Sequence, residues 1–319
     1  MPIITDNIFD THRLLFNGHL QTIVPALFRK PVLLPFKRER ISTPDDDFLD
    51  LDWLRQGAKK LIIISHGLEG NSLRPYMIGM AKEFFNKKYD VLTWNFRGCS
   101  GEINKKSIFY HSGATYDLDT VIQHAAKAYD EVNLIGFSLG GNLTLKYLGE
   151  YWPLHPKIRK ATVISVPLHL ESSSIKLSTG ENRIYARRFL KTLKEKVIKK
   201  AVQFPDQINT MVLKQLKTVY DFDNHYTGPL HGFKNARDYY EKCSSLYFLK
   251  SIKTPTLIFN AQNDPFLSTQ CFPVKMGKEL ENVYMEFPRF GGHVGFSPRG
   301  SKGIYWSEKR AFEFIDSEE

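Results

Sequence analysis

Cysteine is scarce in this sequence of 319 residues, and long apolar runs are absent. The three cysteines, Cys99, Cys243 and Cys271, are scattered and lack the spacing of a metal site, which favours a reducing compartment. No apolar run approaches the roughly 20 residues of a membrane-spanning helix. Residues 1–6 have neither the basic start nor the apolar core of a signal peptide, so we expect a cytoplasmic protein.

Motifs that bind cofactors, nucleotides or zinc are also absent from the sequence. No G-x-G-x-x-G follows a strand-like run, and neither a P-loop nor an H-E-x-x-H motif occurs. We therefore predict a protein without cofactor and without metal, whose chemistry depends on its own side chains.

Positive charge is in excess, but it is concentrated in one segment. The formal net charge of +10 and the pI of about 9.3 permit nucleic acid or anionic lipid as a partner. Much of the excess lies within residues 157–217, and its densest part comprises Arg183, Arg187, Arg188, Lys191, Lys194, Lys196, Lys199 and Lys200. Because no aromatic residues suited to base stacking are interleaved with these cations, we predict no nucleic-acid partner.

Apolar runs that alternate with helical segments indicate the fold class. Six short apolar runs are typical of buried strands: residues 61–65, 89–94, 132–136, 161–166, 256–261 and 283–287. Helical spacing of apolar residues is found at 75–87, 114–129, 142–151 and 306–314. Strands buried on both faces that alternate with helices predict an α/β fold with a mostly parallel central sheet flanked by helices.

Two segments depart from this alternation. From about residue 169 to residue 250 the chain is helical, charged and aromatic, which predicts a helical cap inserted into a single domain of residues 1–319. At the start of the chain, Asn17 has the side chain of a helix N-cap. The runs at 32–34 and 48–53, separated by the turn-rich residues 43–47, predict an opening antiparallel pair of strands.

The strand at 132–136 and the helical run after it are joined by G-F-S-L-G at residues 136–140. This G-x-S-x-G pattern between strand and helix is typical of a nucleophile elbow, a turn tight enough to strain the backbone of its serine. Glycines two residues to either side keep neighbouring side chains away, and the helix N-terminus favours developing negative charge. We therefore predict Ser138 as the nucleophile.

A serine nucleophile requires a base, and the base requires an acid that orients it. Asp264 follows the apolar strand at 256–261, and catalytic groups of open α/β sheets collect at such carboxyl ends. His293 follows the last strand in a loop with glycines on both sides. The order Ser, Asp, His is the one expected after such an elbow, so we predict Asp264 as the acid and His293 as the base. Aspartates within the inserted segment are weaker candidates for the acid: Asp206, Asp221, Asp223 and Asp238.

Backbone N–H groups are expected to stabilise the oxyanion formed by attack on a carbonyl. One is predicted on Leu139, directly after the nucleophile, and the other on Leu68, which follows the first parallel strand. The neighbouring His66 is expected to be a structural hydrogen-bonding residue rather than a second base.

Taken together, a set of motifs resembles the YheT-like branch of the α/β hydrolases. The motifs are H-G-L-E-G (66–70), N-F-R-G-C-S-G (95–101), Y-H-S-G (110–113), G-F-S-L-G-G-N (136–142), D-P-F (264–266) and G-G-H-V-G-F (291–296). N-G-H-L-Q-T (17–22) is similar to the opening motif of that branch, with Gly18 in place of proline, and residues 229–233 and 236–240 are similar to its cap. The resemblance implies an α/β-hydrolase fold and a Ser-His-Asp carboxylic ester hydrolase, with Ser138, Asp264 and His293 at the triad positions.

The predicted function is hydrolysis of carboxylic esters with small or medium acyl chains through an acyl-enzyme intermediate. A lipase, a phospholipase or a thioesterase uses the same triad and stays open as an alternative. A non-catalytic binding protein on a hydrolase scaffold is a further alternative, which an intact set of nucleophile, acid and base disfavours. A dehalogenase or an epoxide hydrolase of this fold needs a carboxylate at the elbow, and Ser138 argues against both. The substrate is thus a small-molecule or lipid ester, and no substrate-binding residue can be named from the sequence.

The run from residue 183 to residue 202 predicts an amphipathic helix that Pro205 ends. Its apolar stripe comprises Ala186, Phe189, Leu190, Leu193, Val197 and Ala201. Its cations are expected to occupy the remaining surface. The simpler interpretation is a cap helix with solvated charges, and the alternative is weak contact with an anionic membrane surface or an anionic substrate.

Overall fold

The computed structural model describes residues 3–4, 9, 11–30, 32–150, 153–297 and 303–318. Nine strands form one sheet in the order β1-β9-β8-β7-β6-β4-β5-β3-β2. The strands are β1 (Ile3–Ile4), β2 (Lys37–Ser42), β3 (Phe48–Leu54), β4 (Lys60–Ser65), β5 (Asp90–Asn95), β6 (Glu131–Phe137), β7 (Ile158–Ile164), β8 (Thr256–Phe259) and β9 (Val283–Glu286). All pairs are parallel except those that β3 forms with β2 and β5. The predicted fold class is confirmed.

Eleven α-helices lie in the described part of the chain, and none of them is long and apolar enough to cross a membrane. They are α1 (Gly18–Phe28), α2 (Pro75–Asn86), α3 (Thr115–Ala125), α4 (Leu139–Glu150), α5 (Leu170–Leu177), α6 (Arg183–Gln203), α7 (Val219–Phe222), α8 (Gly228–Leu230), α9 (Ala236–Cys243), α10 (Val274–Gly277) and α11 (Trp306–Asp316). The helix predicted to reach residue 151 is described up to Glu150, and Tyr151 lies outside the described residues.

Strand β4 shows why the central strands are continuously apolar. Successive side chains of a strand point to opposite faces, and here each face is covered by its own core. Leu61 and Ile63 belong to the core that contains α3 and α4, whereas Ile62 and Ile64 belong to the core that contains α2 and α11. With helices on both faces, the carboxyl ends of the parallel strands are left as the edge at which loops can collect.

The opening antiparallel pair exists, but its first strand is not the predicted one. Residues 32–34 form no strand, and Leu33 is 98% exposed. Strand β2 is instead the charged run Lys37–Ser42, paired with β3 across the turn at residues 43–47. Because β2 is an edge strand, ion pairs to β3 stabilise it in place of apolar burial: Arg38 binds Asp52 at 2.8 Å and Arg40 binds Asp50 at 2.7 Å.

Helices α5 to α9 follow β7 and precede β8. Residues 169–250, all of them described, contain these helices with short 3₁₀ and π turns and no strand. Within the segment, α6 packs against residues of the chain after it, including Leu216 and Phe222, in an apolar cluster to which Phe109 also contributes. That it acts as a cap stays a prediction.

Candidate active site

Ser138 is the single residue between the end of β6 and the start of α4. Its backbone has φ of +52°, a left-handed conformation that is strained for any residue other than glycine. The turn closes tightly: a Cβ on Gly136 would lie 2.6 Å from the carbonyl oxygen of Gly140, and a Cβ on Gly140 would lie 2.5 Å from that of His66. The glycines of the G-x-S-x-G pattern are therefore required by close backbone approach, and the turn presents the hydroxyl at the N-terminus of α4.

The three residues predicted as a triad are brought together by three separate segments. His293 Nε2 lies 3.0 Å from Ser138 Oγ, and His293 Nδ1 lies 2.9 Å from Asp264 Oδ2. Asp264 is buried, and its other carboxylate oxygen accepts the backbone N–H of Phe266 at 2.8 Å. The ring of Phe266 stacks on the imidazole with centroids 4.1 Å apart. This geometry allows the imidazole to accept the serine proton while the carboxylate holds the opposite ring nitrogen.

Helix α1 fixes the loop that carries His293, which the sequence analysis did not foresee. The buried Gln21 side chain accepts the N–H of Gly291 at 2.6 Å, and Thr22 Oγ1 accepts the N–H of His293 at 2.8 Å. Asn263, next to the acid, donates to Gln21 Oε1 at 2.9 Å. The available signal was a pair of polar residues inside an otherwise apolar helix, within the N-G-H-L-Q-T motif.

The loop after β4 lies beside the nucleophile, as a parallel register between β4 and β6 requires. A Cβ on Gly67 would lie 3.2 Å from Ser138 Cβ. The N–H groups on either side of Leu68 are occupied: Gly67 donates to Tyr76 Oη at 3.0 Å and Glu69 donates to Tyr110 Oη at 2.8 Å. Within the part of the chain that the structure describes, no group accepts a hydrogen bond from the N–H of Leu68 or of Leu139. Two free donors therefore remain on the segments that flank the serine.

His66 is fully buried, and both of its ring nitrogens form hydrogen bonds with backbone groups. Its Nδ1 donates to the carbonyl of Gly67 at 2.8 Å, and its Nε2 accepts the N–H of Phe96 at 3.2 Å. Burial lowers the pKa of His66 to about 3, so the ring is neutral at physiological pH. These contacts hold the loops after β4 and β5 together and leave no ring nitrogen for proton transfer.

A cavity of about 360 Å³ opens at the serine. Most of its lining is apolar or aromatic and comes from α1, α5, α6 and the chain around α7 to α9, including Ile23, Leu177, Phe189, Phe222 and Tyr240. Such a pocket suits an apolar chain attached to a single reactive polar group.

Two acidic residues, Glu69 and Asp223, interrupt the apolar lining of the cavity. Asp223 accepts hydrogen bonds from Thr227 Oγ1 at 2.5 Å and from Tyr240 Oη at 2.6 Å. Burial raises the pKa of Asp223 to about 6, although both hydrogen bonds lower it. Neither this residue nor Asp206, Asp221 or Asp238 is bonded to His293, whose carboxylate partner is Asp264.

Helix α6 corrects part of the prediction made for its charges. The apolar stripe is buried at Ala186, Leu190, Leu193 and Val197, as a packed helix requires. One of the cations expected on the surface, Lys200, is buried, so the expectation was wrong for it, and the Lys196 side chain is only 16% exposed. Lys196 Nζ lies 2.6 Å from Glu69 Oε1, and Lys200 Nζ donates to the carbonyl groups of Asn104 and Lys106. Arg187, Arg188, Lys191 and Lys199 remain exposed.

Comparison with known proteins places this geometry in context. The family model described as the alpha/beta hydrolase fold matches residues 60–297. "Putative esterase YheT" from Escherichia coli is 35% identical over 88% of this chain and 84% of its own length. "Phospholipase ABHD3" from Homo sapiens is 29% identical over 92% of this chain and 75% of its own length. The solved structure of the Pyrococcus furiosus esterase Pf2001 matches with a TM-score of 0.59 at 16% identity, covering 88% of this chain and 89% of that chain, which shows a common fold.

Proposed function

We infer the chemistry of the site from one premise: this chain belongs to the α/β-hydrolase family and, within it, to the YheT-like branch. On this basis the protein is a carboxylic ester hydrolase. We propose Ser138 as its nucleophile, His293 as its general base and acid, and Asp264 as the residue that orients the imidazole. The observation that carries the proposal is the chain of two hydrogen bonds, 3.0 Å and 2.9 Å long, that links these side chains.

The geometry suits acyl transfer in two steps. As Ser138 Oγ attacks the ester carbonyl carbon, His293 Nε2 takes the hydroxyl proton and Asp264 stabilises the imidazolium. The N–H groups of Leu68 and Leu139 bind the oxyanion of the tetrahedral intermediate. The intermediate collapses as His293 returns the proton to the leaving alcohol oxygen, which yields the acyl-enzyme. Water, deprotonated by the same imidazole, then releases the acid and restores the serine.

The cavity supports an ester with a small or medium apolar acyl chain. Its volume of about 360 Å³ lies at the lower end of the range of small-molecule pockets, and its lining is mostly apolar. A lipid ester is the second candidate for the substrate. One relative is named a phospholipase, and the aromatic and aliphatic side chains of the cavity could contact the acyl chain of a lipid. A thioester would be attacked by the same residues.

We also propose roles for two larger features. Residues 169–250 form a helical cap, because α5, α6 and the chain around α7 to α9 line the cavity that opens at Ser138. A contact between α6 and an anionic membrane surface would involve its exposed cations, since its apolar stripe is buried within the protein.

The proposal is tested by covalent labelling and by a substrate panel. A fluorescent fluorophosphonate should label the wild-type protein and leave Ser138→Ala unlabelled. Hydrolysis of p-nitrophenyl esters of rising chain length, beside acyl-CoA thioesters and a phospholipid, should then rank the substrate classes. An unlabelled wild-type protein would favour a non-catalytic binding protein on a hydrolase scaffold.

A further inference from the structure

We propose that the rim of the catalytic cavity docks onto the surface of an anionic phospholipid bilayer, from which the enzyme draws its ester substrate. Binding to the bilayer does not depend on the proposed ester hydrolysis. Only the claim that the enzyme takes its substrate from the bilayer rests on that proposed function.

The mouth of the cavity is marked by α1. Leu27 lines the cavity and is 58% exposed, and Ile23 lines it one helical turn earlier and is also exposed. A side chain that faces both the cavity and solvent lies at the opening. The mouth therefore carries apolar side chains at the point where a substrate enters.

Two other segments carry exposed apolar side chains close in sequence to residues that line the cavity. Leu73, 54% exposed, directly precedes Arg74, which lines the cavity. Ile184, 69% exposed, lies on α6 one turn before Arg188, which also lines the cavity. On α1, Phe28 is 71% exposed beside Leu27. Apolar residues scattered singly over a surface are ordinary, whereas exposed apolar residues on three segments that all contribute to one cavity lining favour an interaction site there.

The cations of the rim favour an anionic surface. Arg188 is exposed at the mouth, and Arg183 and Arg187 are exposed on the same turns of α6. Glu181 is the acidic residue just before this helix, and it pairs with His19 at 3.2 Å. Apolar side chains that enter the boundary between head groups and acyl chains, together with arginines that bind lipid phosphates, provide the two contributions that stable interfacial binding requires.

A bilayer explains the position of these residues better than a protein partner does. A protein or a second copy of this chain seated on the rim would close the entrance to Ser138. A bilayer seated there lets an acyl chain move into the apolar cavity without crossing water, which is the costly step for a lipid. The exposed apolar residues of the rim are distinct from the apolar stripe of α6, which is buried inside the protein.

Vesicle sedimentation tests the proposal with a matched pair of variants. The rim variant, Phe28→Glu/Leu73→Glu, changes two exposed residues that directly precede the lining residues Arg29 and Arg74 and do not line the cavity themselves. Val202→Glu/Met211→Glu changes two residues that are each 81% exposed, and Val202 lies about 21 Å along α6 from Arg188 at 1.5 Å per residue. Wild type and the control pair should pellet with phosphatidylglycerol/phosphatidylcholine vesicles at low salt and be released by about 0.3 M salt. The rim variant should partition at least about tenfold less.

Hydrolysis of a soluble ester distinguishes a failure of the docking proposal from a failure of the proposed function. The rim variant should hydrolyse p-nitrophenyl butyrate within twofold of wild type, and should lose about tenfold on an ester embedded in vesicles. Wild type that stays in the supernatant, or a rim variant that pellets like wild type, would overturn the docking surface. A dimer of the wild type that the rim substitutions dissociate would overturn it in favour of a second copy. Vesicle binding by a wild type without esterase activity would instead contradict the proposed function alone.

Discussion

Lys196 Nζ lies 2.6 Å from Glu69 Oε1, and this largely buried ion pair, with side chains 16% and 7% exposed, joins helix α6 to the loop that carries Leu68. Tyr110 completes the contact, because its hydroxyl donates to the same carboxylate oxygen at 2.7 Å and accepts the N–H of Glu69 at 2.8 Å. Glu69 itself has φ of +53°, a left-handed conformation held by these contacts. The segment predicted as a cap is thereby tied to the residue next to a proposed oxyanion donor.

Removal of Lys196 should therefore affect both stability and turnover. Lys196→Met leaves the Glu69 carboxylate buried without its cation, which typically costs about 3–5 kcal/mol of the free energy of unfolding. We expect kcat to fall while KM changes little, because the oxyanion donor acts in the transition state. Urea denaturation and steady-state hydrolysis of a p-nitrophenyl ester measure the two effects.

The matched control is Lys199→Met, which removes an exposed cation from the same helix and should change neither quantity. The double variant Glu69→Gln/Lys196→Met should recover part of the lost stability, because the unpaired charge is gone. Equal behaviour of Lys196→Met and Lys199→Met would show that the ion pair does not position the loop.

Gly140→Ala should disrupt the elbow through backbone contact. The added methyl would lie 2.5 Å from the carbonyl oxygens of Ser65 and His66, which cannot move without shifting the end of β4. Overpacking of this kind costs about 1–3 kcal/mol or more, and it displaces the nucleophile. Gly57→Ala is a control for stability alone: nothing lies within 4 Å of its added methyl, but a φ of +84° strains an alanine, so stability should fall while turnover is kept. Thermal unfolding and ester hydrolysis should both be impaired in Gly140→Ala alone, and a fully active Gly140→Ala would contradict the close approach.

Asp223 should make stability depend on pH. Burial raises its pKa in the folded protein to about 6, above the ordinary aspartate value of 3.8, so the folded state binds more protons between these values. The free energy of unfolding should therefore fall as pH rises from 4 to 6. Asp223→Asn removes this dependence. The change in the free energy of unfolding that it causes should be about 1–3 kcal/mol more favourable at pH 8 than at pH 4. Urea denaturation at both pH values, with the exposed Asp206→Asn as control, measures the difference. An equal effect of Asp223→Asn at pH 4 and pH 8 would contradict the raised pKa.

The sequence predicted those parts of the protein that depend on local pattern. The strand–turn–helix context of Ser138 and the positions of Asp264 and His293 after strands were sufficient to place all three residues within hydrogen-bonding distance. Parallel strands end at one edge, so residues that follow them meet there whatever their separation along the chain.

What could not be predicted depends on contacts between distant segments. Lys196 and Lys200 occupy positions that a helical pattern assigns to solvent. Lys196 nevertheless pairs with a carboxylate, and Lys200 donates to two carbonyl groups, all on other loops. Strand β2 is stabilised by ion pairs with β3 rather than by apolar burial, so periodicity pointed to the wrong residues. The hydrogen bond from His293 to Thr22 spans 271 residues and has no local signature.

The proposed base and acid should act as a unit with the nucleophile. His293→Ala and Asp264→Asn should each lose a large part of kcat, and Asp264→Asn is expected to lose less because the imidazole remains. Ser138→Ala/His293→Ala should lose little more than either single variant, because triad members are strongly non-additive. Losses of kcat that multiply in the double variant would mean that His293 does not serve Ser138.

Hydrolysis of a p-nitrophenyl ester by Ser138→Ala tests the assignment of the nucleophile most directly. Serine at this position of a triad contributes a factor of about 10⁶ to kcat in other hydrolases, so the variant should fall to the residual rate. Circular dichroism should remain that of wild type, since the hydroxyl faces the cavity and alanine fits the same backbone as well as serine does. A folded Ser138→Ala protein that retains more than a few per cent of wild-type turnover would contradict the assignment.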